Sequence, residues 1–550
     1  MSIISGLKRS GSRLGCQIRV LAGSTQMTRQ GKKHSLNSVA YRNFMFKRLL
    51  SVGGFTLLSR ITGFIRDILM ASVLGKGALS DAFLVAFRFP NYFRAIFGDG
   101  TLNPAFLPRY AALHAKGEHE AAARFGDDVL AWQLAVQAVL MVLALTFMPA
   151  LVLLIAPGFA GQPGQVELAA TFTRITFPTL VLTVVVVQLS AMLNAIEKFW
   201  AAAAWQNFLN LAMIACFVAA PFFPNAAFAG ACGVLLGGIL EIIFMLWASR
   251  REGIVLHFRR PRVTPEIKEF FKAVAAVTFG TAAVTVSPFV DTIIASFLKP
   301  GSLTALYYGD RINQLPLGVL GLAVGTVLLP EMSNRIAKGD VTGADASQNR
   351  AAALALLLAL PFVLVFLAIP DTIMRAIFAH GAFNREAASQ AAIALMAYGV
   401  GLPAMVLVRI TASTFYARHD TATPARCTVS SIAANIAVKI VLVLGFGLGI
   451  EGIALGTALG AWVNVGMLGW YGWRKGLLKF QPIFRRALVP IVLAAVAAGA
   501  GAWGGAHLVG SAHFHGSLND LLSLAVAGVL AAIGYGAVVL AFRRRLPITR

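Results

Sequence analysis

Fourteen mainly apolar stretches divide the chain, near 49–74, 79–98, 128–155, 168–195, 201–221, 226–248, 268–298, 302–330, 350–369, 386–417, 425–448, 451–473, 485–508 and 519–542. Each runs for about twenty residues or more, enough for an α-helix to cross a bilayer core and about twice what a membrane β-strand needs. The pattern predicts an all-α polytopic membrane protein of about fourteen transmembrane helices. The connecting segments carry a second signal. Arg250–Lys272, Arg474–Arg486 and Arg543–Arg545 are strongly basic, whereas 157–165, 221–230 and 507–517 contain no Lys or Arg. Positive charge collects on the cytoplasmic side of membrane proteins, so alternate loops and both termini are expected in the cytosol. Segment 375–385 fits least well, lying outside by count yet holding Arg375 and Arg385.

Composition agrees with the pattern: 58% of residues are hydrophobic and 13% charged, against about 25% charged in ordinary soluble domains. A water-soluble protein is excluded. The 47 Lys and Arg against 23 Asp and Glu would suggest nucleic acid in a soluble chain, but orientation in the bilayer accounts for most of the excess, so no nucleic-acid partner is expected. Residues 1–44 read as a basic, disordered extension with no apolar run to act as a secretory signal, and Met45 is an alternative start. The four cysteines have no paired spacing that would support a disulfide framework or a zinc site.

Sliding the chain against itself gives a match at an offset near 224. Asp67, Ala71, Ser72, Leu74, Gly77 and Leu79 fall on Asp291, Ala295, Ser296, Leu298, Gly301 and Leu303. Pro178 and Asn210 fall on Pro403 and Asn435 at offset 225. The offset spans six predicted helices, an even number, so the halves would enter the membrane in the same sense and be related by an axis along its normal. This predicts two pseudo-symmetric six-helix lobes, 45–249 and 268–474, joined by a basic cytoplasmic linker, 250–267. The last two helices and the tail, 475–550, are left outside the repeat.

Charges stand inside several predicted spans: Arg60, Arg66 and Asp67 in the first, Asp81, Arg88 and Arg94 in the second, Asp291 in the seventh, Asp310 and Arg311 in the eighth. A charge at mid-bilayer costs about 2.5 to 3.5 kcal/mol on insertion scales, so these side chains must face water, acids or substrate. Pro90 interrupts the second span and would free backbone groups that a polar cavity tolerates. Arginine presents a planar fork that grips phosphate at two points, so an anion-binding cavity is expected, with phosphate or pyrophosphate as its ligand. Asn435 and Lys439 lie one turn apart, and Lys439 could neutralise Asp291 either as a structural pair, the favoured reading, or as a coupling switch. Gly452, Gly456 and Gly460 form a small-residue face suited to helix packing. His507, His513 and His515 read as a solvated loop rather than a metal site. No Walker A loop, zinc-protease helix or nucleophile elbow occurs, so neither a cofactor nor an enzymatic reaction is expected.

Three blocks carry a family resemblance: SRITGFIRD (Ser59 to Asp67), SDAFLVAFRFPNYFRAIFGDG (Ser80 to Gly100) and YYGDRINQLPLGVLGLAVGTVLLP (Tyr307 to Pro330). They resemble the MurJ (MviN) family of lipid II flippases within the multidrug, oligosaccharidyl-lipid and polysaccharide exporter superfamily, over the chain from about Met45 to the last helix. The resemblance implies alternating access of a central cavity between two lobes in the bacterial inner membrane. The substrate it implies is the undecaprenyl-pyrophosphate-linked peptidoglycan precursor, for cell wall synthesis. By motif it implies substrate-binding roles for Arg60, Arg66, Arg94 and Arg311, with Asp81 as the cavity acid. Asp67, Asp291, Asp310, Asn435 and Lys439 are expected to support the site or couple it. The resemblance implies a groove for the undecaprenyl tail beside the last two helices. A sodium site in some relatives uses an acid in the eleventh helix; here Lys439 takes that neighbourhood, which argues against sodium. Membrane lipids and the cell wall elongation or division machinery are further expected partners. An exporter of another anionic polyprenyl-linked glycan, or a drug exporter of the same superfamily, is the alternative.

Overall fold

The structure, a computed structural model, describes residues 52–97, 99–323, 328–510 and 516–547; the predicted extension 1–44 and the loop residues His513 and His515 lie outside them. Among the described residues every regular element is helical. The first half contains α1 (52–74), α2 (Ala78–Phe97), α3 (Asp99–Ala115), α4 (His119–Thr146), α5 (Met148–Ile155), α6 (Gln165–Thr176), α7 (Thr179–Ala195), α8 (Phe199–Ala204), α9 (Gln206–Val218) and α10 (Ala226–Arg251). The second contains α11 (Pro265–Ser296), α12 (Ser302–Ala323), α13 (Leu329–Ala337), α14 (Val341–Ala368), α15 (Pro370–Phe378), α16 (Arg385–Tyr416), α17 (Ala422–Ile440), α18 (Ile450–Arg474), α19 (Pro482–Gly510) and α20 (Ser517–Ala541). Helices overlie the described part of each predicted span, and ten membrane-length apolar segments stand out among the described residues. The remaining predicted spans are those of α1, α2, α11 and α12, the last three of which pack against one another.

Local chemistry starts several of these helices where the polar breaks fall. Asn225, Thr264, Asp340 and Asn384 each accept a hydrogen bond from the backbone N–H three residues on, at the N-termini of α10, α11, α14 and α16. Pro90 lies within α2 without ending it. Proline has no N–H for the carbonyl four residues earlier, and here Thr176 Oγ1 donates to that carbonyl, Ala86 O, at 2.8 Å. The freed backbone group is therefore satisfied by α6, not by a polar cavity.

Packing sorts the helices into two groups. α2, α6, α7, α9 and α10 form one; α12, α14, α16, α17 and α18 form the other, with α19 laid against α14 and α20 against α19. α11, the first helix of the predicted second lobe, lies between them: it packs against α2 and α3 on one side and α17 on the other. One end of the molecule is sealed. There Ala382 N donates to Ser72 O (2.7 Å), Gly158 N to Ser296 Oγ (2.9 Å) and Gly301 N to Asp81 Oδ2 (2.6 Å). Gly75 makes the α1–α2 turn in the left-handed region, φ 66°, where a Cβ would stand 2.7 Å from Ala382 O, so glycine serves both the turn and the seal. Segment 375–385, the misfit of the charge pattern, belongs to this end. Arg375 pairs with Asp371 and bonds Ser389, and Arg385 pairs with Asp520, so local acids offset both arginines. The opposite end carries the basic segments 250–264, 474–486 and 543–545.

Candidate functional site

A cavity of about 630 Å³ lies between the two helix groups, within the range of sites for organic ligands. Arg66 of α1, Arg88 and Tyr92 of α2, Asp291 of α11, Asp310 and Arg311 of α12 and Tyr398 of α16 border it. Five of the intramembrane charges, Arg66, Arg88, Asp291, Asp310 and Arg311, thus meet at one chamber, away from lipid. Asn313 also borders it, 1% exposed, and neither polar atom of its side chain has a hydrogen-bond partner among the described residues.

Asp67, fully buried, ties one wall together. Arg66 donates to its Oδ1 from Nε (3.0 Å) and Nη2 (2.7 Å), and Tyr307 Oη adds a third bond at 3.1 Å. Arg311 of α12 pairs with its other oxygen. Arg66 Nη1 donates to Asn210 Oδ1 of α9 (2.9 Å), and Asn210 in turn donates to Ser59 O and Thr62 Oγ1 of α1, both at 3.1 Å. Charge-assisted bonds to a desolvated carboxylate are strong, so this knot fixes α1 against both α9 and α12. Arg66 is 7% exposed and acts chiefly as the centre of the knot. Arg311 keeps more of its side chain accessible, 27%.

On the opposite wall Lys439 of α17, wholly buried, pairs with Asp291 of α11. Its Nζ and Asn435 Nδ2 both donate to Ser287 Oγ at 3.4 Å. The glycine face of α18 makes this possible. A Cβ at Gly456 would collide with the Lys439 stem and one at Gly460 with Asn435, so the missing side chains form the trough in which both lie. These glycines therefore do more than bring helices close: they let a lysine lie at the helix contact with its ammonium on a cavity acid. Asp310 accepts from Gln314 Nε2 at 2.5 Å, and Arg88 interacts electrostatically with both Asp310 and Asp291. The Arg88 guanidinium rests over the Tyr307 ring at 5.3 Å with no ion pair within contact distance among the described residues.

Three predicted site residues lie elsewhere. Asp81 is 3% exposed and does not border the cavity: Gly301 N, Thr304 N (2.9 Å) and Thr304 Oγ1 (2.6 Å) all donate to it, so it caps α12 across the sealed end. Arg94 borders a small cavity inside the first group, with Glu241, that adjoins the chamber at Phe87 and Asn91, and its guanidinium lies over Trp205 at 5.9 Å. Arg60 is exposed on α1 and lies across Gly318 of α12, outside the lining of the chamber. Conversely, Arg88 enters the cavity. It stands six residues before Arg94, about 120° around an α-helix, and of the two only Arg88 borders the chamber here. Among the described residues no cluster of three His, Cys, Asp or Glu forms a metal site.

Two groups of membrane helices around a charged chamber, sealed at one end, define a polytopic transporter. The chain belongs to the family of the lipid II flippase MurJ, whose model matches residues 70–520. A probable lipid II flippase MurJ of Rhizobium tropici is 37% identical over 463 residues, covering 83% of this chain and 86% of that one. The lipid II flippase MurJ of Burkholderia cenocepacia is 32% identical over 461 residues, covering 82% and 88%. A solved lipid II flippase MurJ in an inward closed conformation superposes with a TM-score of 0.75 at 21% identity, over 90% of this chain and 99% of that one. The fold extends to an inward-facing multidrug resistance MATE family transporter of the MOP superfamily. That match has a TM-score of 0.63 at 16% identity, over 76% of this chain and 95% of that one.

Proposed function

We propose that this protein flips lipid II, the undecaprenyl-pyrophosphate-linked peptidoglycan precursor, from the cytoplasmic to the outer leaflet of the bacterial inner membrane for cell wall synthesis. The observation that carries the reading is the set of three guanidinium groups, Arg66, Arg88 and Arg311, bordering a chamber between two helix groups, in a chain of this family. The basic end faces the cytosol, both termini included, and the sealed end faces outward. The lobes, 45–249 and 268–474, rock against each other, and the bonds across the sealed end break as the chamber opens outward.

Arg311 and Arg88 grip the diphosphate, because both retain N–H groups not committed to protein partners. Arg66, held by Asp67 and Asn210, sets their background field. Asn313 and Gln314 take hydroxyl or amide groups of the head. Asp310 and Asp291 keep the empty chamber from carrying a large net charge, and Lys439 with Asn435 supports Asp291. No bond of the substrate is made or broken. An inside-negative potential favours outward movement of an anionic head by about 2.3 kcal/mol per charge per 100 mV. The last two helices flank the polyprenyl tail, and the protein works beside the cell wall elongation or division machinery.

The test is depletion of the protein followed by measurement of lipid II accessible on the outer face of the membrane. Accessibility falls, and a copy carrying Arg311→Lys restores it only weakly, since an ammonium lacks the two-point fork. Unchanged accessibility on depletion would overturn the function. Full rescue by Arg311→Lys would overturn the clamp alone.

A further inference from the structure

A second concavity, about 210 Å³, opens near the basic end between α4 and α11. Trp132, Gln133, Val136 and Leu140 of α4 face Phe271 and Val274 of α11 across it, and it shares no lining residue with the central chamber. Val136 is 44% exposed and Phe271 39%, so the groove is open at the side rather than sealed in the core. Gln133 Oε1 is buried with no hydrogen-bond partner among the described residues. Trp132 stands edge-on to Phe271, ring centroids 5.8 Å apart, and its Nε1 donates to Arg262 O at 2.9 Å. That bond fixes the basic segment 257–263 at the mouth of the groove.

Three acids near this mouth are already engaged, and a fourth, Asp128, lies one turn before Trp132 on α4. Asp127 accepts from His257 N (2.9 Å) and pairs with Arg259 (3.3 Å), while Glu266 and Glu269 pair with Arg109. Arg260, Arg262 and Lys268 are exposed and have no carboxylate partner among the described residues. Phe258 and Val263, on either side of the arginines, are 84% and 64% exposed. Cationic and large apolar side chains exposed side by side suit a headgroup interface, where each satisfies a different part of a lipid.

We propose that this groove binds one anionic phospholipid of the cytoplasmic leaflet, with an acyl chain along Trp132, Val136 and Phe271 and its phosphate against Arg260 and Arg262. Charge complementarity selects the occupant. A zwitterionic lipid brings a cation along with its phosphate and leaves the charge of these arginines unmatched, and the lipid-linked substrate has its own anion site in the separate central chamber. Gln133 Oε1 takes a hydroxyl of the glycerol region. The lipid fills the space between α4 and α11, the helix that lies between the two groups.

The test uses the full chain in nanodiscs of phosphatidylcholine with increasing phosphatidylglycerol, one of the two brominated in its acyl chains. The Trp132 emission is the difference between the wild type and Trp132→Phe. Brominated phosphatidylglycerol quenches it at about tenfold lower mole fraction than brominated phosphatidylcholine, and the preference disappears in Arg260→Gln/Arg262→Gln. Native mass spectrometry of the wild type against that double variant gives a readout without the tryptophan substitution: retained phosphatidylglycerol falls to the level of phosphatidylcholine. Equal quenching by both lipids, a preference that survives loss of the arginines, or no quenching of Trp132 would overturn the proposal. So would displacement of the phospholipid by a polyprenyl diphosphate at equimolar amount, which would give the groove to the substrate tail.

Discussion

Asp67 and Asp291 align when the sequence is shifted by 224 residues, yet their surroundings hold them in opposite ways. Each has an asparagine of the repeat nearby, Asn210 and Asn435, and each sits on a helix that borders the chamber. Asp67 is fully buried and has two arginines, a tyrosine and, through Arg66, the asparagine of α9. Asp291 has one ammonium, that of Lys439, and its side chain is 17% exposed. The first carboxylate is over-determined and crosses from one helix group to the other. The second has a single ion-pair partner, with Arg88 acting on it only at longer range, and already meets the chamber. One half is thus built as a keystone and the other as a site able to change partners.

The largest effect separating them is expected from Asp67→Asn. Removing one charge strands two arginines, and breaking a buried pair this way costs about 3 to 5 kcal/mol. Thermal unfolding in detergent should show the loss, and outer-leaflet lipid II should fall with it. If Asp67→Asn unfolds no earlier than Asp291→Asn, the keystone reading fails.

The second site should respond asymmetrically. Asp291→Asn leaves the Lys439 ammonium buried and costs about 3 kcal/mol; Lys439→Met leaves a carboxylate that can reach water in the chamber and costs less. The double variant Asp291→Asn/Lys439→Met should return to within about 1 kcal/mol of the wild type, since it leaves no unpaired charge buried. Flipping then decides the role of the pair. A stable double variant that flips normally makes the pair structural, and a stable one that does not flip makes it a coupling switch.

A smaller effect tests the trough beneath that pair. Gly456→Ala would press a methyl group into the Lys439 stem and should cost about 1 to 3 kcal/mol, the usual range for overpacking. Gly466→Ala on the same helix is the control, because a Cβ there meets nothing within 4 Å. Equal behaviour of the two would mean that Lys439 finds another path to Asp291.

These contrasts also mark how far the chain could be read before it was folded. Arg66, Asp67, Asp310 and Arg311 were legible because charge inside an apolar span must converge on something polar, and that argument needs no partner. Asp81 obeys the same rule but lies at the sealed end, where two of its three donors are backbone N–H groups of residues 301 and 304, which carry no side-chain signal in a sequence. Arg94 was chosen on motif, and which of Arg88 and Arg94 reaches the chamber is set by how α2 packs against α11 and α12, which the sequence of α2 alone does not carry. The glycine face of α18 was visible as small residues at regular spacing, but whether such a face admits a backbone or a lysine depends on the helix opposite. The helices themselves were the easiest part, because bilayer length and apolar content dictate them together.

The smallest expected effect comes from a Lys–Asp pair of the same chemistry outside the apolar spans. Asp420, in the turn between α16 and α17, accepts from Lys475 Nζ at 2.7 Å, Thr423 N at 2.9 Å and Thr423 Oγ1 at 2.7 Å. Lys475 and the two Thr423 donors pull its carboxyl down from 3.8 to about 2. A group whose pKa is lower in the folded state contributes stability above its unfolded pKa and loses it as pH falls through the folded value. The stability difference between the wild type and Asp420→Asn should therefore be constant above about pH 4 and shrink between pH 4 and 2. Solvent screening holds it to at most about 1 kcal/mol. Lys439 and Asp291 pair the same two functional groups, so a pH-independent difference at Asp420, or one as large as that of Asp291→Asn, would mean that burial is not what separates the two pairs.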